Sequence, residues 1–231
     1  MSEKKVLYSR EEHPEAWQLV REHEALHTEH KEPIHVTVKG IELTVTPGVF
    51  RPDLSMMGQH LVEKIGIHRG EAVLDLGTGC GFQALLAART GAGSVIAVDN
   101  QKEAVACALE NVQRFSLNNR IQIRLSNLFE HILPSEQFDV ILFNFPFPPF
   151  EPETPWQRAN FDPGHRLLKE FFTQAKSHLT PTGRIGMCWS DIGDTHYLHA
   201  LAVESGYELK VLDERKAGSI GAYVFELRMK S

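Results

Sequence analysis

Three stretches of this 231-residue chain combine residue types that can do chemistry. The run "VLDLGTGCGF" sets Asp75, Gly77, Thr78, Gly79 and Gly81 between an apolar run and a helical pattern. Glycines there let the backbone turn sharply and approach a ligand, and the free N–H groups of the following helix favour an anionic group. Phe82 occupies the third-glycine position of the dinucleotide fingerprint, which argues against NAD. Twenty-odd residues on, "VIAVDN" ends in Asp99 and Asn100. A carboxylate at that neighbouring strand tip can accept hydrogen bonds from both hydroxyls of a ribose, or it can simply cap the next helix.

The second stretch is "NFPFPPF", Asn144 to Phe150. Each proline removes a backbone donor, so the apolar strand must stop there, leaving a stiff, aromatic rim rich in acceptors. The third is "HEALHTEH", in which His23-Glu24-x-x-His27 matches the short zinc-protease motif. Two histidines at i and i+4 share a helix face and can bind zinc. The competing reading is a solvated surface helix with adventitious histidines, given Arg21, Glu22, Thr28 and Glu29 around them and 12 histidines in the chain.

These residues need elements to hold them. Residues 71–76, 94–98, 121–125, 138–144 and 184–189 read as short strands alternating with helices at 81–90, 101–115 and 165–179, the pattern of a parallel sheet wound with helices. The third helix is expected to start at an Asp162 cap followed by Pro163. A helix over 194–204 precedes two last strands, 207–214 and 222–229, whose short link "RKAGSIG" allows only antiparallel pairing. The fold class is therefore α/β: a seven-stranded, doubly wound, mostly parallel sheet with a reversed final strand. Ahead of it, a polar helix over 13–29 and a hairpin about Lys39-Gly40 form a small appendage, residues 1–45. A helix over 53–66 leads into the main domain, residues 46–231. The proline-rich "EPETPWQRAN" reads as an unstructured loop of the lid or substrate type, with Glu151 and Glu153 as solvated charges or, alternatively, as an attraction for a cationic substrate.

Composition excludes several classes. With 30 acidic against 24 basic residues, a net charge of −6 and no Lys/Arg block, tight binding to a polyanion is disfavoured. Three cysteines without C-x-x-C spacing offer neither a disulfide framework nor a zinc ribbon, so a reduced cytoplasm is the expected setting. The charged start "MSEKK" lacks the apolar segment of a signal peptide, and no apolar run reaches the ~20 residues a membrane span requires.

Asp75-x-Gly77-x-Gly79-x-Gly81 together with Asp99 resembles the class I S-adenosylmethionine-dependent methyltransferases, over residues from about 46 to the end, with their Rossmann-like sheet and reversed last strand. The resemblance implies S-adenosyl-L-methionine as cofactor. Gly77, Thr78, Gly79 and Gly81 would hold its methionine portion and Asp75 would help with its ammonium group. Asp99, with Asn100, would bind the ribose. Asn127 stands where the family often has an aspartate reading the adenine amino group, a bond an amide oxygen can also accept.

"NFPF" further resembles the Asn-Pro-Pro-Tyr motif of enzymes that methylate exocyclic or amide nitrogens, including the release-factor glutamine and small-domain methyltransferases. Asn144, Pro146 and Phe147 match, and Phe145 replaces the commoner second proline. The chemistry accounts for the types. A planar amide or aryl amine delocalises its lone pair and attacks a methyl poorly. The Asn144 side-chain oxygen and the Phe145 carbonyl can grip both N–H hydrogens, Phe147 can stack on the flat face, and Pro146 stiffens the clamp, so alignment does most of the work. The expected function is N-methylation of a protein amide, a nucleobase or a small metabolite. O- or N-methylation of a small metabolite, a non-catalytic cofactor-binding module and a zinc hydrolase are the alternatives.

Overall fold

The computed structural model describes residues 10–218 and 220–230, so the charged start of the chain lies outside the described residues. Helix α1 (Pro14–Thr28) is followed by the hairpin β1 (Ile34–Val38) and β2 (Ile41–Val45). Lys39 and Gly40 both take positive φ, as the tight two-residue turn demands. The single helix expected over 53–66 is broken: two short 3-10 turns, Pro52–Leu54 and Gly58–His60, precede a five-residue α2 (Leu61–Ile65). Ser55 is extended, and its hydroxyl accepts the Gly58 N–H at 2.9 Å. The break brings the Gly58 backbone against Asn144, where a Cβ would lie 3.3 Å from Asn144 Nδ2.

The α/β core follows as β3 (Ala72–Leu76), α3 (Phe82–Thr90), β4 (Ser94–Asp99), α4 (Lys102–Arg114), β5 (Ile121–Leu125) and β6 (Phe138–Asn144). After it come α5 (Pro155–Asn160), α6 (Arg166–Ala175), β7 (Leu179–Ser190), α7 (Thr195–Glu204), β8 (Tyr207–Ala217) and β9 (Ile220–Met229). The seven-stranded sheet runs β5-β4-β3-β6-β7-β9-β8, with β9 antiparallel to both its neighbours and the rest parallel. The reversed final strand thus inserts between β7 and β8. The last two strands extend into the stretch read as a link, leaving a tight turn at Gly218.

Side chains alternate across the sheet as the two-residue period requires. Val73 joins the apolar layer under α2, α3 and α4, whereas Leu74 and Leu76 join the opposite layer under α6 and α7. The hairpin contributes Val36, Val38, Ile41, Leu43 and Val45 to the first of these layers. Fully buried Asn111 of α4 bonds the Thr44 N–H and carbonyl, at 2.9 and 2.8 Å, and the Cys80 carbonyl at 2.9 Å, tying hairpin, helix and glycine loop together.

Three further expectations are corrected. The loop after "NFPFPPF" is not unstructured: Thr154 caps α5 by accepting the Gln157 N–H at 3.1 Å, and Pro155 occupies its first turn. Its Glu153 is paired with Arg10. Asp162 does not directly precede α6; Gly164 and His165 turn the chain with positive φ, and the Asp162 carboxylate reaches forward to cap the Leu167 and Leu168 N–H groups at 2.8 and 3.0 Å. Finally, α1 is no freely solvated helix. Val20, Glu24 and His27 are buried, His27 completely, against an aromatic cluster that joins Trp17 and Phe50 to Phe150, Trp156 and Phe161.

Candidate active site

Because β3, β4 and β6 are parallel neighbours, their C-terminal ends meet at one edge of the sheet, where open α/β folds place ligands. A cavity of about 420 Å³ opens there, within the size range of small-molecule and cofactor sites. Gly77, Thr78 and Gly79 form one wall, Asp99 and Asn100 the next, and Asn127 lies beside them. Asn144, Phe145, Pro146 and Phe147 form the opposite wall. Asp99 and Asn144 therefore face one cavity from either side of β3.

Two predicted residues stand outside it. Asp75 is 1% exposed beneath the loop and does not line the cavity; its carboxylate accepts the Thr78 hydroxyl at 2.6 Å. Burial pushes its pKa up to about 7, with the Asp99 charge adding, while the Thr78 hydroxyl and the Ala84 N–H offset part of the rise. Gly81 also lies off the cavity. Its φ is +87°, and a Cβ would sit 3.3 Å from the Ala108 Cβ, so this glycine serves the close packing of α3 on α4.

Asp99 is buried at the tip of β4. One oxygen accepts the Gly79 N–H at 2.9 Å and the other the Gln101 N–H at 3.0 Å, so the carboxylate ties the glycine loop to the strand and holds the residue that leads into α4 without capping the helix itself. Burial raises its pKa against the pull of the Gly79, Gln101 and Asn100 N–H groups. It is the one charged side chain in the cavity wall among the described residues.

Asn144 ends β6 half-buried, and no group among the described residues is hydrogen-bonded to its side chain. The next residue is 2% exposed: the Phe145 ring packs on Phe143 and Trp189 with centroids 4.9 and 5.4 Å apart. Its carbonyl accepts the Phe147 N–H at 3.0 Å in a one-residue turn, which leaves one lone pair directed elsewhere. Phe147 lies half-buried beside Trp189, 5.9 Å between centroids. Phe150 is buried against Trp17 and does not line the cavity.

Several wall residues escaped the sequence reading. Trp189 had a signal, since it lies near the end of a parallel strand. Phe50, Trp156 and Leu19 also line it, contributed by the segment before the core, α5 and α1, and nothing in their spacing ties them together. The histidines are not adventitious either. His23 lines the cavity, and its Nε2 lies 3.0 Å from His27 Nε2. Glu24, the acid of the zinc-protease motif, is taken up instead by the Thr154 hydroxyl at 2.5 Å and the Gln157 amide at 2.6 Å. Among the described residues no group of three or more His, Cys, Asp or Glu is placed to hold a metal ion.

Sequence comparison agrees with this geometry. The family model for the methyltransferase small domain matches residues 40–205. A Methanocaldococcus jannaschii relative named as a protein N5-glutamine methyltransferase is 30% identical over 165 residues, 68% of this chain and 80% of its own. A release factor glutamine methyltransferase of Gloeobacter violaceus is 32% identical over 114 residues, 48% of this chain but only 40% of the relative. Among solved structures, a Pyrococcus furiosus methyltransferase superposes with a TM-score of 0.58 at 19% identity, covering 92% of this chain and 98% of that one. A T. thermophilus 16S rRNA methyltransferase in complex with AdoMet and guanosine gives 0.63 at 22%, covering 86% and 50%. At such identities the structures speak for the fold alone. This chain belongs to the methyltransferase small-domain family and is a class I S-adenosylmethionine-dependent methyltransferase. The cavity fits that cofactor: a glycine cradle open on one side, an acid at the neighbouring strand tip and space for a nucleoside between them. No helix among the described residues is long and apolar enough to cross a membrane.

Proposed function

We propose that this methyltransferase acts on a planar amide or amino nitrogen held by Asn144 and the Phe145 carbonyl. The observation that carries this reading is the Asn144 side chain, without a hydrogen-bond partner among the described residues, in the wall of the same cavity as Asp99. Gly77, Thr78 and Gly79 would hold the methionine portion, Asp99 and Asn100 the ribose, and Asn127 the adenine amino group. Asp75 acts at one remove, positioning the loop through the Thr78 hydroxyl. Gly81 does the same through its packing on α4. The names of the Methanocaldococcus and Gloeobacter relatives, both glutamine methyltransferases, support an amide nitrogen.

When bound, the cofactor supplies a methyl carbon activated by its sulfonium. The protein's share is alignment. Asn144 Oδ1 and the free lone pair of the Phe145 carbonyl accept the two N–H hydrogens of the substrate, which turns the nitrogen lone pair toward the cofactor. Phe147 and Trp189 offer flat faces for the planar group, and Pro146 restrains the segment between the two acceptors. Asn144→Ala should keep affinity for S-adenosylhomocysteine within about twofold and slow methyl transfer by about a hundredfold or more, as expected when a transition-state contact alone is lost. Normal turnover of the true substrate by that variant would end the clamp reading.

One observation favours a second substrate class. Leu19, Phe50 and Trp156 add apolar and aromatic surface to the wall that holds Phe145 and Phe147, which suits a small apolar or planar amide or amine. Incubating the protein with labelled cofactor and fractionated cell extract separates the two: label in the low-mass fraction supports the small substrate, and label on protein or nucleic acid excludes it.

A further inference from the structure

The histidine pair on α1 precedes the region matched by the family model, which starts at residue 40. Its hydrogen bonding fixes where the protons are. The Arg51 backbone N–H can only donate, so His27 Nδ1, 2.9 Å away, accepts, and the single proton of that neutral ring sits on Nε2. This Nε2 lies 3.0 Å from His23 Nε2, which must therefore accept in turn. The His23 proton is left on Nδ1. Burial keeps both rings neutral: it pushes the His27 pKa down to about 3, with repulsion from Arg51 and from the protonated forms of His23 and His30 adding, and it lowers that of His23.

The pair is packed and bonded on several sides. His27 lies between the rings of Phe50 and Trp156, with centroids at 4.3 and 5.2 Å, and Glu24 fastens the same helix to α5. His23 thus carries one oriented N–H donor on a ring that lines the cavity. No described residue accepts it, and the atom is not sealed away.

Two further observations say what it meets. No Lys or Arg lines the cavity among the described residues, so an anionic group entering it must be met by neutral N–H donors. The Thr78 hydroxyl, the loop's own side-chain donor, is already given to Asp75. His23 also belongs to the glycine-loop end: Phe50, 6.0 Å from it between ring centroids, packs on the loop with its Cβ 4.0 Å from where a Cβ on Gly79 would lie. We infer that His23 Nδ1–H donates a hydrogen bond to the carboxylate of the cofactor's amino-acid portion, a specificity contact that α1 brings to the site. This rests on the loop's holding that portion of the cofactor.

Calorimetry with two ligands tests it: S-adenosylhomocysteine, which carries the amino-acid arm, and 5′-methylthioadenosine, which lacks it. His23→Phe should weaken S-adenosylhomocysteine about tenfold or more, the scale of a lost bond to a charged group, and leave 5′-methylthioadenosine within about twofold. His23→Asn, whose amide nitrogen stands near the place of Nδ1, should recover most of the loss. The retained 5′-methylthioadenosine affinity shows that the variants fold. Equal losses for both ligands, or an unchanged affinity for S-adenosylhomocysteine, would overturn the inference. An unaltered chain that binds neither ligand would overturn the assignment of the loop itself, which is a separate failure.

Discussion

Acid should unseat helix α1, and His27 sets the scale of the effect. This ring is completely buried, accepts the Arg51 N–H through Nδ1 and gives its only proton toward His23. Protonation adds a hydrogen at Nδ1, where a donor already points, and places a charge beside Arg51, His23 and His30, all of which oppose it. A folded-state pKa depressed from 6.5 to about 3 means that the neutral ring stabilises the fold fully above pH 6.5, and that this contribution is lost progressively as pH falls toward about 3. At 1.36 kcal/mol per pH unit, the loss between pH 6.5 and about pH 5 is ~2 kcal/mol, a large share of the stability of a typical domain. Denaturant unfolding followed by tryptophan fluorescence at pH 7 and at about pH 5 measures it, since Trp17 and Trp156 both belong to the cluster against which α1 packs. His27→Gln supplies the reference, because it keeps a planar acceptor but does not titrate. The stability difference between the unaltered chain and this variant should shrink by ~2 kcal/mol on going to the lower pH, the shift of one proton over that interval. A difference that stays constant across the two conditions would refute the reasoning.

Other outcomes follow from the same geometry. With the proposed ribose role, Asp99→Ala should weaken S-adenosylhomocysteine binding about tenfold or more in calorimetry, and the Gly79 N–H also loses its anchor; unchanged affinity would remove Asp99 from the site. Gly81→Ala should cost about 1–3 kcal/mol of folding stability by chemical denaturation, from a φ of +87° and a Cβ 3.3 Å from Ala108, whereas a neutral result would mean that α3 and α4 separate without penalty.

Much of the sheet was legible because burial on two faces writes itself into short apolar runs. The runs at 94–98, 121–125 and 138–144 became β4, β5 and β6 with a boundary shift of one residue at most. The site was legible in part. Glycines in a strand-to-helix loop and an Asn before prolines at a strand tip carry local backbone constraints that survive in the sequence. The 53–66 segment misled because its apolar spacing suits a helix, while the approach of Gly58 to Asn144 that breaks it is a contact between residues far apart in the chain. Likewise α5 hid in a proline-rich stretch, since its stability comes from a Thr154 cap and from Glu24 of α1.

By itself the sequence determined the alternation of strands and helices, the glycine loop and the placing of Asp99 and Asn144 at strand ends, because each follows from local periodicity and backbone chemistry. Only the tertiary structure decided that these two face a single cavity, that Asp75 lies beneath it and that His23 and Phe50 line it. Those outcomes depend on strand order and on packing between segments distant along the chain, such as α1 against Arg51 and α5, and no local pattern records which distant partner a buried side chain will find.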